Sequence, residues 1–221
     1  MSNSITECIV VNNTEKPVQL WLTLGVGEPF VQGVKSVSPQ FKPESNNPNQ
    51  GHMELLPGLE NALRYTPPAS LQFSGNFCFG SVPLNCPPPE FPNGVNLAEF
   101  TLNPKNPGGT ETVDISCVAG VNAEILFQLK GGGAWSSGPY ANVDQFFNGP
   151  IGDNVGRIGV FPYLCSGCTN TDNHPVCSNP PVDAPKHPQC QKEGICNVQR
   201  SEFSEGGEVF ISFQGFIPVK S

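Results

Sequence analysis

The sequence predicts a mainly β fold, an antiparallel β-sandwich carrying a disulfide-rich, loop-rich satellite, and three observations lead there. Gly and Pro each occur 24 times in 221 residues, which breaks the chain every few positions and leaves little room for long helices. Between the breaks lie short segments in which apolar and polar residues alternate, the two-residue period of a half-buried strand. Five of the nine cysteines fall within residues 165–196 among Pro, Asn and Asp, a composition too poor in apolar residues to pack a core without cross-links.

The elements follow in order. Residues 8–24 read as two strands around a turn, with Val18, Leu20, Leu22 and Leu24 on one face of the second and Trp21 on the other. Residues 25–68 read as irregular, with the polar stretch 44–51 as an exposed loop. A strand is expected at 70–74, then a turn-rich passage from 78 to 92. Residues 97–103 and 111–116 read as a strand pair around a Pro/Gly turn, and 123–129 as a further strand. The run Gly131-Gly132-Gly133 opens a loop-rich section in which 143–147 is expected to form one short helix. Residues 208–214 close the pattern, with Val209, Ile211 and Phe213 on one face. The expected organisation is a core of residues 1–129 plus 208–221 and a cysteine-rich insertion of residues 130–207.

Charge narrows the partners. Eleven Lys and Arg against 19 Asp and Glu give a net charge of −8, which repels phosphate backbones and anionic membranes. Nucleic acid is therefore not an expected partner. No run of 18 apolar residues is present, so no membrane insertion is expected. Only 14% of residues are charged, so the surface is rich in neutral hydrogen-bonding groups, which suit a polysaccharide or another protein surface. Nine cysteines point to an extracellular or other oxidising compartment, or to an extracellular particle. The sequence opens Met1-Ser2-Asn3-Ser4-Ile5-Thr6-Glu7, with neither the basic region nor the apolar run of a signal peptide.

The order and spacing of Leu97-Ala98-Glu99-Phe100-Thr101-Leu102-Asn103, Val113-Asp114-Ile115-Ser116 and Gly120-Val121-Asn122 resemble those of thaumatin-like proteins. Ile9-Val10-Val11-Asn12-Asn13 and Val18-Gln19-Leu20-Trp21 are similar to that family's first two strands, and Gly75-Asn76-Phe77-Cys78 through Cys86 falls at its glycine and cysteine signature. The resemblance covers residues 8–24 and 70–128. It implies the family's sandwich and an acidic cleft beside a disulfide-rich lobe, with Glu99 and Asp114 at two of the cleft's acidic positions. Departures are plain: the Thr-Gly-Asp-Cys element is missing between Cys78 and Cys86, Ala119 stands where a further aspartate is expected, and no arginine matches the cleft's cation.

Glu99 and Asp114 are the candidate ligand-binding carboxylates. As a pair they are also the only catalytic candidates, because glycoside hydrolysis uses one protonated and one ionised carboxyl. The other reading makes them ordinary strand residues. Trp135 and Tyr140, with Phe146 and Phe147, form a candidate sugar-stacking platform, against which stands burial of the Phe pair in a core. Cys165-Ser166-Gly167-Cys168, with Cys177, Cys190, Cys196, His174 and His187, raises zinc; the second half of a zinc site lacks the short spacing, so disulfides are favoured and no metal is expected. Phosphate-loop, dinucleotide and G-x-S-x-G motifs are absent, and no cofactor is expected. Asn12-Asn13-Thr14 fits a glycosylation sequon. Three functions compete: a carbohydrate-binding protein recognising a β-glucan-like chain, a structural or interaction component of a coat, wall or particle, and a β-1,3-glucanase-like hydrolase.

Overall fold

The structure, a computed structural model, describes residues 5–84, 90–91, 94–105, 109–116, 122–132, 136–137, 198–200 and 206–216. These form β1 (Thr6–Asn12), β2 (Val18–Leu24), α1 (Val34–Val37), β3 (Lys42–Glu44), β4 (Asn47–Leu55), a 3₁₀ turn (Leu59–Asn61), β5 (Leu63–Tyr65), β6 (Phe73–Phe79), β7 (Leu97–Leu102), β8 (Glu111–Ser116), β9 (Ala123–Lys130), β10 (Ser136–Ser137), β11 (Val198–Arg200) and β12 (Gly207–Phe216). The fold is mainly β. A four-stranded sheet runs β5-β1-β12-β9, and an eight-stranded sheet runs β10-β11-β8-β7-β6-β2-β4-β3.

Alternation decides what each strand turns inward. Val18, Leu20, Leu22 and Leu24 of β2, Ala98, Phe100 and Leu102 of β7, and Val113 and Ile115 of β8 are buried in one core with Val209, Ile211 and Phe213 of β12. Aromatic rings tie this core together within and between the sheets: Phe77 stacks on Phe100 at 5.2 Å, and Phe79 of the large sheet stacks on Phe213 of the small one at 4.8 Å. Each fully buried Phe contributes about 1.5–3 kcal/mol relative to exposure. In β1 the run Cys8-Ile9-Val10-Val11 is buried on both faces, because Ile9 and Val11 pack with Phe210 away from the main core. Gly75 is required by proximity: a Cβ there would lie 2.1 Å from the Thr23 carbonyl oxygen.

Several expectations need correction. The strands in residues 8–24 do not form a hairpin, since β1 belongs to the small sheet and β2 to the large one. Pairing is antiparallel except between β1 and β12, which run parallel from Thr6↔Gly207 to Asn12↔Phe213. The span 25–68 is not irregular: it contains α1, β3, β4 and β5. Residues 44–51, expected as a loop, are a hairpin tip and the start of a nine-residue strand. There the inward positions are Asn49 and Gly51, both buried, so the strand's period is present without apolar residues to display it. The strand expected at 70–74 starts at Phe73 and continues through Cys78 to Phe79. The helix expected at 143–147 lies outside the described residues.

Cys8 and Cys78 are buried free thiols, so the expected disulfide stapling does not reach them. Burial pushes both thiols well above the ordinary cysteine range, with the Glu7 charge adding to the effect at Cys8. The remaining cysteines, including all of those in 165–196, lie outside the described residues, as do His174 and His187. The sequon asparagine, Asn12, is fully buried and donates through Nδ2 to the carbonyls of Lys16 and Leu55. An amide held in that way is closed to glycosylation in the folded chain.

Candidate carboxylate site on the large sheet

Glu99 on β7 and Asp114 on β8 are direct cross-strand partners. Because Ala98, Phe100, Val113 and Ile115 point into the core, both acids stand on the face turned away from the sandwich interior. The same register continues across the sheet: Asn76 on β6 lies opposite Glu99, Thr23 on β2 opposite Asn76, and Gln50 on β4 opposite Thr23. A polar row thus crosses five strands, about 19 Å at the usual strand spacing. Within it Gln50 Nε2 donates to Thr23 Oγ1 at 3.0 Å, and one residue row away the Ser74 and Thr101 hydroxyls share a hydrogen bond of 3.0 Å.

The two carboxyls are in hydrogen-bond contact, and Asp114 is the deeper one, with 8% of its surface exposed. Burial first, then the charge of Glu99 and the hydrogen bond to it, push Asp114 up to about 9. Glu99 is also raised by burial, while the hydrogen bond from Asp114 partly offsets that rise. Burial thus raises both carboxyls and favours a single proton shared between them. The Oδ1 atom of Asp114 is sealed from solvent and meets no donor among the described residues. A proton held between the acids is what satisfies this pair, since two ionised carboxylates at contact distance repel. So protonated, the pair carries one negative charge instead of two and can both donate and accept hydrogen bonds.

Glycoside hydrolysis sets its two carboxyls about 5–5.5 Å apart with retention or 6.5–9.5 Å with inversion, whereas Glu99 and Asp114 are hydrogen-bonded to each other. Of the other sequence candidates, Trp135, Tyr140, Phe146 and Phe147 lie outside the described residues, and so does Ala119. Among the described residues no group of three or more His, Cys, Asp or Glu side chains is placed to hold a metal ion. No helix among them is long and apolar enough to cross a membrane.

Two further arrangements carry no signal in the sequence. Arg200, 3% exposed, pairs with Glu111, 1% exposed, and also donates to Thr6 Oγ1 and to the carbonyls of Gly131 and Gly132. Opposite Glu111 across the β8–β11 ladder, Arg200 stands on the core side of the sheet, away from the carboxyl pair. Nothing in the sequence around Arg200 signals this, because its partner Glu111 is distant along the chain. The second arrangement sets Trp21 beside His52, with ring centroids 4.6 Å apart on the same outward face as Glu99. Alternation in β2 places Trp21 correctly, but nothing in the sequence marked residues 47–55 as its neighbouring strand.

Neither a family model nor a curated protein matches the chain.

Proposed function

We propose that this is a carbohydrate-binding protein of the thaumatin-like kind, taking an uncharged, β-glucan-like polysaccharide against the outward face of the large sheet. The observation that carries this reading is the Glu99–Asp114 pair, a proton-sharing acid dyad set at one end of a row of neutral hydrogen-bonding side chains. Sugar hydroxyls are at once donors and acceptors, and so is the dyad, whereas a doubly ionised pair would prefer a cation. Hydrogen-bond contact between the acids supports binding over hydrolysis.

A second reading, a structural or interaction component of a coat, wall or particle, draws on Cys8 and Cys78. Both are buried thiols in central strands, so the core holds at these positions by packing instead of the cross-links that an exposed secreted lectin commonly uses. For either role an extracellular site or particle is the proposed location.

Co-sedimentation with insoluble β-1,3-glucan tests the choice. Binding by the wild type that is lost in a folded Glu99→Gln/Asp114→Asn double variant supports the carbohydrate reading; no binding by the wild type supports the structural one.

A further inference from the structure

Resting on that carbohydrate reading, the geometry points to a second sugar subsite at Trp21 and His52, remote from the carboxyl pair, which makes the ligand an extended oligosaccharide chain instead of a single terminal sugar. Trp21 lies two strands from Glu99 and two residues along β2 from the polar row, about 12 Å away at standard strand spacing and rise. No charged side chain interrupts the ladder positions between them, which hold Asn76 and Thr23 on the outward face, with Gln50 hydrogen-bonded to Thr23. The indole is only partly buried, and its Nε1–H donates to Gln19 Oε1 at 3.1 Å in a solvent-exposed contact. This fixes the ring beside the imidazole of His52. A flat ring with a polar edge, held at the side of a neutral polar track, offers the apolar face on which a pyranose stacks.

The track does not stop at Trp21. Gln19, His52 and Glu54, which flank the indole on β2 and β4, also line an open cavity of about 1070 Å³ completed by Lys42, Arg64 and Gln40. A chain lying over Trp21 therefore continues into a groove of mixed charged, polar and apolar lining. The Nδ1 atom of His52 is buried and meets no hydrogen-bond partner among the described residues, and the ring packs against Trp21.

Titration with a disaccharide and a hexasaccharide of β-1,3-linked glucose tests this, using calorimetry together with the two indole N–H signals of ¹⁵N-Trp-labelled protein, assigned by Trp21→Phe. The expected result is that the hexasaccharide binds more tightly, moves the Trp21 indole signal and loses about tenfold in affinity in Trp21→Ala, while disaccharide affinity is unchanged by that substitution. Equal affinity for the two lengths, or a Trp21 signal that stays still as the hexasaccharide binds, overturns the subsite and leaves the carbohydrate reading standing. Failure of both sugars to bind overturns both. If Trp21→Ala does not fold, the indole shift of the wild type and the affinity of Trp21→Phe decide.

Discussion

Asp114 lies directly opposite Glu99 in the β7–β8 ladder and is the more deeply buried member of a hydrogen-bonded acid pair. Folding thus raises the proton affinity of both carboxyls. The folded chain binds more protons than the unfolded chain across the interval between the two sets of pKa values, so stability falls as pH rises. For Asp114 the interval runs from its ordinary 3.8 to about 9. Thermal unfolding followed from pH 5 to pH 9 should show a falling Tm.

Asp114→Asn should flatten that slope. An Asn amide donates to Glu99 without taking up a proton on folding, which removes the pH-dependent cost that the wild type carries between 3.8 and about 9. At pH 8 the variant is expected to be more stable than the wild type by about 1–3 kcal/mol, the usual size of one relieved buried polar defect, or about 2–4 °C in Tm per kcal/mol for a chain of this length. At pH 5 the two proteins should differ little. A variant less stable than the wild type at pH 8 would mean that the carboxyls do not share a proton.

How far this pair was legible follows from its surroundings. The alternation in Leu97–Leu102 and Glu111–Ser116 places Glu99 and Asp114 on an outward face, and the short Pro/Gly-containing connection between them makes the strands neighbours. Their proton sharing is not legible, because it depends on burial of the outward face at Asp114, Ser116 and Cys78, where a sheet's outer side is ordinarily wet. The strand Asn47–Leu55 escaped notice for a related reason. Its inward Asn49 finds partners in the Gly33 N–H and the Gln32 side chain, so a polar residue fills a core position and erases the pattern. The parallel pairing of β1 with β12 was equally hidden, since apolar runs reveal burial on both faces but not which strand lies alongside.

Cys8 and Cys78 are sealed within the folded chain, and burial keeps both as protonated thiols. Iodoacetamide applied to native protein without reductant should leave these two positions unmodified at pH 8, and both should react fully in denaturant. Peptide mass spectrometry separates these outcomes. Alkylation of either residue in the native protein would contradict the packing of β1 or β6.

The Arg200–Glu111 pair makes the strongest stability prediction. Both side chains are nearly inaccessible, and Arg200 fastens β11 to Thr6 of β1 and to the Gly131-Gly132 turn as well as to β8. Gly132 sits at φ +70°, and a Cβ there would meet Arg200 Nη1 at 2.1 Å, so the guanidinium and the turn fit one another closely. Arg200→Met leaves Glu111 as an uncompensated buried charge, and breaking such a pair costs about 3–5 kcal/mol. Glu111 retains the backbone N–H of Asn103 as a donor at 2.8 Å, which places the expected loss toward the lower end. The double variant Arg200→Met/Glu111→Leu removes both charges and should recover most of the loss, because well-packed apolar replacements of buried ion pairs are often near neutral. Urea unfolding of the wild type, both single variants and the double variant gives the coupling energy directly. A coupling near zero would show that Arg200 acts through its carbonyl and hydroxyl partners instead of through Glu111.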